Sequence, residues 1–290
     1  MGPEAIKKVG VVGGGLMGSG IAQTAAAAGY DVLLAEVSQE LLDKGLERVH
    51  GAWQMLVGKG KITATQAEEY GKHIRGTLEI NEFSGCDLVI EAIVENLDAK
   101  RTLFHTLDTV VKSDAILASN TSSLPIIEMA AATNRQERVA GIHFFNPAPV
   151  MKLVEIVRTI ATSDETVLQL GGFAESLGKT PIVAKDTAGF VVNFLLIPYM
   201  LSAIRMFENG LATMEDIDTG MKLGCGYPMG PFELLDYVGL DTTLYAAQAI
   251  YEEYPDPAYA PPTLLRRMVQ AGRYGKKNGK GFYAGAADEK

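Results

Sequence analysis

Six residues near the start of this 290-residue chain carry chemistry in their spacing: Gly13-Gly14-Gly15-Leu16-Met17-Gly18 fits G-x-G-x-x-G. The pattern alone is weak; its setting gives it meaning. The apolar run Val9-Gly10-Val11-Val12 enters it, an alanine-rich stretch at 19–28 leaves it and stops at Gly29, and a second apolar run ends on Glu36. Strand, loop, helix and acid in that order form the unit that binds a dinucleotide. Gly13 would allow the tight turn, Gly15 would leave room for a pyrophosphate, and Gly18 would let the helix pack close to the strand. Backbone N–H groups at the helix start, around Leu16 and Met17, would meet the phosphates with the helix dipole behind them. Glu36 could accept hydrogen bonds from the adenosine ribose hydroxyls and would repel a 2′-phosphate. No Arg immediately follows it, so NAD is expected rather than NADP. The competing reading is a glycine-rich turn with no ligand, which leaves the agreement of these four features unexplained.

A second polar residue stands out by its surroundings. Asn193 interrupts the apolar run 190–201, so it should face the core or a cleft, where a buried amide needs partners. A bond to a neighbouring carbonyl is the alternative, and the residues alone leave both open.

The elements that would position these groups follow from periodicity. Short apolar runs at 9–12, 31–36, 87–92, 115–118, 139–145, 154–157 and 181–184 read as strands, most of them buried on both faces. Helices are expected at 19–28, 41–57, 65–72 and 97–111. After Asp186 the texture changes: 190–208 reads as one long helix kinked at Pro198, and only helices and turns follow. Thr213-Met214-Glu215-Asp216 resembles a capping box with Asp in place of Glu or Gln. The fold class expected is an α/β Rossmann-type N-terminal domain, residues 1–186, followed by an all-α C-terminal domain, residues 187–290.

Composition narrows the function. The net charge of -9, from 26 Lys+Arg and 35 Asp+Glu, argues against a general nucleic-acid binder. The two cysteines, Cys86 and Cys225, and four histidines form no metal-like spacing, so two buried, reduced thiols and no metal are expected. No run is long and apolar enough to span a bilayer and the start shows no apolar signal core, so no membrane partner and a cytoplasmic setting are expected.

Several longer motifs then fall together: Ser119-Asn120-Thr121-Ser122-Ser123-Leu124; His143-Phe144-Phe145-Asn146-Pro147 running on to Glu155; Asp186-Thr187-Ala188-Gly189-Phe190 running on to Asn193; GYPMGPFELLDYVGLD at 226–241; and GKKNGKGFY at 275–283. With the glycine loop they resemble the 3-hydroxyacyl-CoA dehydrogenase family, including its 3-hydroxybutyryl-CoA members, from Val9 to Tyr283. The resemblance implies reversible oxidation of a (3S)-3-hydroxyacyl-CoA by NAD. It implies that His143 is the general base, a task suited to an imidazole, and that Glu155 orients the ring and stabilises the imidazolium. Ser122 and Asn193 are implied near the reacting atoms, as donors to substrate oxygens. Glu95, Lys100, Asn120 and Asn146 are implied around the nicotinamide ribose and amide, with Lys277 as a further candidate. A homodimer formed through the helical domain is implied as well.

Taken singly, each residue has a plainer reading. His143 could be a satisfied structural histidine, Glu155 a solvent-facing strand residue, Ser122 a cap for a helix beginning near Leu124-Pro125, and Lys100 and Lys277 solvated surface.

The acyl-CoA partner is polyanionic, so local cations are expected. Lys44 and Arg48 share a helix face, Lys59 and Lys61 follow, and the resemblance points to Lys59. Two departures stand out. Phe194 occupies a position where the family often has Arg, and Glu36 one where Asp is common. A free 3-hydroxy acid, such as a sugar acid, is the alternative substrate, and an NAD-binding protein without turnover is the reading from another class.

Overall fold

The structure is a computed structural model and describes residues 6–283. The chain divides into two compact units, Met1–Asp186 and Thr187–Lys290.

In the first unit, β1 (Lys8–Val12) runs through the glycine loop into α1 (Leu16–Ala27). There follow β2 (Asp31–Ala35), α2 (Gln39–Gly58), α3 (Ala64–Lys72), β3 (Ile74–Thr77), β4 (Leu88–Glu91) and α4 (Leu97–Val110). Then come β5 (Ile116–Ser119), α5 (Ile126–Ala130), β6 (Val139–Phe144), β7 (Leu153–Arg158), α6 (Asp164–Ser176) and β8 (Thr180–Lys185). The strands form one sheet in the order β3-β2-β1-β4-β5-β6-β7-β8. All neighbours are parallel except β6 and β7. The order reverses at β1, which lies between β2 and β4, and in such sheets the ligand crevice lies beyond the strand C-termini at that reversal. The central strands are buried almost throughout, which is why they read as continuous apolar runs.

Of the strands and α-helices of this unit, the sequence reading missed β3 and α6, and offered a helix at α5 only as the plainer reading of Ser122. β3 is four residues with an Arg and a Gly, too short and polar to signal itself. α6 carries Gly171-Gly172 mid-helix, and glycine there weakens the helical signal; a Ser163 cap on the Thr166 N–H opens it. α1 begins at Leu16, three residues earlier than expected, because the last glycine of the motif is already inside the helix.

The second unit is helical: α7 (Val192–Glu208), α8 (Met214–Cys225), α9 (Pro231–Val238), α10 (Leu240–Glu253) and α11 (Thr263–Gln270). Ile197, Met200, Leu201 and Ile204 of α7 pack with Phe232, Leu235, Leu240, Ala247, Ile250 and Leu265 in its core. α7 starts two residues later than expected because Gly189 (φ 81) and Phe190 (φ 49) are left-handed, and it runs through Pro198 as one helix. The expected capping box is only half formed. The Asp216 N–H donates to Thr213 Oγ1 at 3.1 Å, but the Asp216 carboxylate takes the Thr213 hydroxyl instead of its N–H. The longer Gln66 does close a full box on Thr63.

Cys86 is buried, and burial pushes its thiol up to about 12. Cys225 is exposed, contrary to expectation, since it ends α8 and that helix buries little of its last turn. Among the described residues no helix is long and apolar enough to cross a membrane, and no group of three His, Cys, Asp or Glu could hold a metal.

Gly10 shows how tightly the sheet is covered: a Cβ there would lie 2.3 Å from the ring of Phe83, which is fully buried. Gly10→Ala is expected to lower stability by about 1–3 kcal/mol, the usual cost of overpacking a filled core, as measured by urea denaturation.

Candidate active site

The glycine loop is shaped by backbone contact. Gly13 is left-handed (φ 99) and a Cβ on it would meet Ala92 O at 2.6 Å; a Cβ on Gly18 would sit 1.8 Å from Gly13 O. Gly15 differs, because a Cβ there would meet nothing within 4 Å. Gly15 is also the N-cap of α1, which has no side-chain cap and no acid in its first turn. Helix N–H groups without a side-chain cap or a first-turn acid, beside a glycine that leaves space open, fit a dinucleotide pyrophosphate. Leu16, Val37 and Val94 stand exposed on the loops after β1, β2 and β4, giving the crevice rim apolar surface on which a flat base can rest.

Glu36 follows β2 and bends over this loop. Its Oε1 accepts the Gly14 N–H at 2.6 Å and its Oε2 the Val37 N–H at 3.1 Å. The Arg48 Nη1 donates to Gly14 O at 2.9 Å, while Lys44 is ion-paired to Glu40 at 2.6 Å. The two cations therefore do not form the shared patch expected of their spacing: one is neutralised and the other turned to the loop. Lys59 is exposed just after α2.

A charged cluster lies where β4 and β5 end. Lys100 is 1% exposed, so the solvated-surface reading fails for it. Its Nζ lies 2.6 Å from Glu91 Oε1 and 3.0 Å from Glu95 Oε2. Glu91, fully buried, also accepts from Ser119 Oγ at 2.6 Å and from the Ile93 N–H at 2.7 Å. Glu95 accepts from the Thr121 hydroxyl and the Ser122 N–H. The cluster thus fixes the loop that carries Ser122, and Asn120 ties that loop to β6 by accepting the Phe144 N–H at 2.9 Å. Ser122 does not cap α5. The Asp186 carboxylate does so, accepting the Ile126 and Ile127 N–H groups at 2.9 and 2.7 Å, and Ser122 stays half-buried.

His143 and Glu155 are direct cross-strand partners in the antiparallel β6–β7 pair. Directly opposed side chains on one sheet face are close enough to bond, and Nδ1 of His143 lies 2.6 Å from Glu155 Oε2. The imidazole is 6% exposed and the carboxylate 0%, so Glu155 is not a solvent-facing strand residue. A carboxylate at Nδ1 sets the tautomer, with the proton on Nδ1 and a lone pair on Nε2. The Phe145 ring packs against the imidazole, 4.6 Å between centroids.

The loop from Asn146 to Lys152 returns the chain to β7. It is clamped by Lys179, whose buried ammonium donates to Ala148 O at 2.6 Å and Met151 O at 2.8 Å. Burial pushes that ammonium below the ordinary lysine range, and Lys152 adds to the effect. Asn146 itself is exposed. Pro149 and Ala148 pack over Gly20 of α1, where a Cβ would come within 3.1 Å of Pro149.

In the second unit Asn193 sits half-buried in the first turn of α7. Phe194 packs its ring against Tyr254 and Tyr259, at 5.5 and 5.1 Å, an apolar use of a position where Arg was a common alternative. Lys277 pairs with Asp241 at 2.8 Å and bonds Thr242 at 2.6 Å, so its ammonium has partners within its own unit. Of the groups around the crevice, Glu91 and Lys179 were not singled out from the sequence, and Arg48 was read only as one of a basic pair for the acyl-CoA tail. The one available signal was a charge beside a buried strand, as in Glu91-Ala92 after Leu88-Val89-Ile90.

Comparison with known proteins identifies the family. The model of the 3-hydroxyacyl-CoA dehydrogenase NAD-binding domain matches residues 8–187, and that of the family's C-terminal domain matches residues 189–285. A 3-hydroxybutyryl-CoA dehydrogenase of Mycobacterium tuberculosis is 48% identical over 282 residues, covering 97% of this chain and 99% of the relative. The human mitochondrial hydroxyacyl-coenzyme A dehydrogenase is 47% identical over 285 residues, covering 96% and 91%. The crystal structure of an (S)-3-hydroxybutyryl-CoA dehydrogenase from Ralstonia eutropha superposes with a TM-score of 0.93 at 42% identity, covering 97% of this chain and 99% of that one. With both domain models matched along nearly its whole length, the chain belongs to the 3-hydroxyacyl-CoA dehydrogenase family and is an NAD-dependent oxidoreductase.

Proposed function

We propose that the protein interconverts a short-chain (3S)-3-hydroxyacyl-CoA, such as 3-hydroxybutyryl-CoA, and its 3-oxoacyl-CoA, with His143 as general base and Glu155 as its orienting partner. The observation that carries the reading is the buried His143–Glu155 pair at 2.6 Å, at the end of the strand beside the loop that carries Ser122.

The glycine loop and Glu36 would hold NAD, which when bound would supply the hydride acceptor. As the C3–H bond breaks, His143 Nε2 takes the proton of the C3 hydroxyl, and Glu155 stabilises the positive charge that appears on the ring. Ser122 and Asn193 donate to the substrate oxygens, where charge develops. Glu91 and Lys100 act behind them by holding the Ser119–Ser122 loop, while Glu95, Asn120, Asn146 and Lys277 complete the nicotinamide end. Lys59, exposed beyond α2, is offered to the coenzyme A tail. The names of the relatives at 48% identity, 3-hydroxybutyryl-CoA dehydrogenases, support the short chain.

One further relative keeps the second substrate reading in view. A solved diketoreductase, described as acting on dicarbonyl compounds, superposes with a TM-score of 0.85 at 30% identity. NADH oxidation with acetoacetyl-CoA, run beside free acetoacetate, separates the two. Turnover of the free acid is expected to be at least about a hundredfold lower in kcat/KM, since binding energy from the coenzyme A tail is absent. Equal turnover would transfer the activity to free 3-hydroxy acids.

His143→Ala should lower kcat by about 10²–10⁴-fold, the usual share of a general base. Glu155→Gln should lower it about tenfold or more and alter the pH–rate profile, because the ring loses its charged orienter. NADH affinity, read by fluorescence, should be kept in both. An unchanged profile in Glu155→Gln removes Glu155 from the mechanism.

A homodimer through the second unit is the reading that the resemblance implies, and Leu195, Met206, Leu211, Leu223, Tyr227 and Tyr245 are the large apolar side chains exposed there that such an interface could cover. Sedimentation at micromolar concentration should give twice the 31.1 kDa chain mass, and a species of one chain mass would refute it.

A further inference from the structure

Gly14 is held at both ends of its backbone by charged side chains from distant parts of the chain. Glu36 accepts its N–H at 2.6 Å and Arg48 donates to its carbonyl at 2.9 Å; Ser19 Oγ donates to the same carbonyl at 2.7 Å. The contacts follow from two bare positions. A Cβ on Gly14 would lie 3.3 Å from Glu36 Cγ, and one on Gly45 would lie 3.1 Å from Gly14 O. With no side chain at either glycine, α2 crosses close over the loop, and Arg48, about one turn beyond Gly45, lands on the carbonyl. Glu36, one methylene longer than the aspartate common at this position, can fold back onto the loop.

Arg48 is spare in every other respect. Among the described residues it has no ion-pair partner, its neighbour Lys44 is taken by Glu40 at 2.6 Å, and its side chain is exposed. One guanidinium nitrogen is used on Gly14, which leaves the rest of the fork for an anion. The carboxylate that reads the ribose hydroxyls and this guanidinium are thus separated by the single residue whose N–H and C=O they hold. Val37, next to Glu36, is 89% exposed, so the ground around the carboxylate is open.

We infer that Arg48 is a second determinant of cofactor selectivity: a latent ligand for the 2′-phosphate of NADP, held in check by Glu36. The preference for NAD is then a balance of two charges of opposite sign. Glu36 repels the 2′-phosphate and takes the ribose hydroxyls. Arg48 attracts the phosphate, and the charged carboxylate offsets most of that attraction. This rests on the dinucleotide site and not on the acyl-CoA substrate, so failure of the substrate reading leaves it standing.

The test is a binding titration followed by the fluorescence of the reduced nicotinamide, with no acyl-CoA present. NADH and NADPH are titrated into the wild-type protein, Arg48→Met, Glu36→Gln and the double variant at fixed salt. Glu36→Gln should bind NADPH about tenfold or more tightly than the wild type does, because repulsion by the carboxylate is removed and the charge-assisted contact to Arg48 is left unopposed. Adding Arg48→Met should remove most of that gain. Arg48→Met alone should weaken NADPH more than NADH, a comparison that holds even if Glu36→Gln folds poorly. A gain in NADPH affinity that survives Arg48→Met, or equal loss of both cofactors in Arg48→Met, would reduce Arg48 to a prop for the loop and overturn the inference.

Discussion

The functional edge of the first unit depends on one reversal of strand direction. β6 and β7 are the antiparallel pair in a sheet otherwise parallel between neighbours. In a parallel pair the C-terminal end of one strand meets the C-terminal end of the next, and a residue near the start of the second strand would lie at the far edge. Running β7 backwards brings its first residues beside the last residues of β6, so Glu155 is opposite His143 although 12 positions later in sequence. A carboxylate with no exposed surface is costly to ionise without a partner. The register therefore has to be held: a slip of one residue would turn Glu155 to the other face of the sheet.

The same logic governs the rest of that edge. Each loop beyond a strand C-terminus is fixed by a charged or polar side chain that comes from elsewhere. Glu91 and Lys100 hold the loop after β5, Lys179 holds the loop after β6, and Glu36 with Arg48 holds the glycine loop after β1. Lys179 is the costly case. It is a buried ammonium with carbonyl partners and a depressed pKa, so the protein gives up solvation energy to keep the chain beside Asn146 in place. Removing one member of the buried Glu91–Lys100 pair would cost about 3–5 kcal/mol, because the other charge stays behind uncompensated. Rigid loops are what a hydride transfer needs, since reacting atoms a fraction of an ångström out of place lose much of the benefit of being bound.

How much of this was legible in the sequence follows from the range of the interactions. The parallel strands and the glycine loop could be read because burial on both faces makes unbroken apolar runs, and because the loop's demands are local: Gly13 needs a positive φ, and Gly18 must clear the Gly13 carbonyl. Elements without a local signal were missed, as with the four-residue β3 and the glycine-bearing α6. The candidate residues came largely from whole-chain resemblance. Resemblance put Lys100 at the cofactor with solvated surface as its plainer reading, and the fold shows it on the buried face of α4 with Phe104 and Leu107, paired to Glu91 and Glu95. Arg48 was read as one of a basic pair because helix spacing predicts which residues share a face, but not which of them finds a partner off the helix.

Arg48 and Lys100 together show where sequence reading of charge fails. Both lie on amphipathic helices that flank the sheet: Lys100 shares the buried face of α4 with Phe104 and Leu107, where a lysine is unexpected, while Arg48 is exposed on α2 and reaches the glycine loop by the length of its side chain. A lysine or arginine stem can cover several ångströms of apolar surface before its charge is placed, so its Cα position constrains its ammonium or guanidinium only loosely. An aspartate or a strand residue has no such freedom, which is why Glu155 is located by register alone. The residues whose roles follow most directly from sequence are thus the short or strand-bound ones. The long cations, which do much of the electrostatic work around an anionic cofactor, are the residues for which the folded arrangement has to be known.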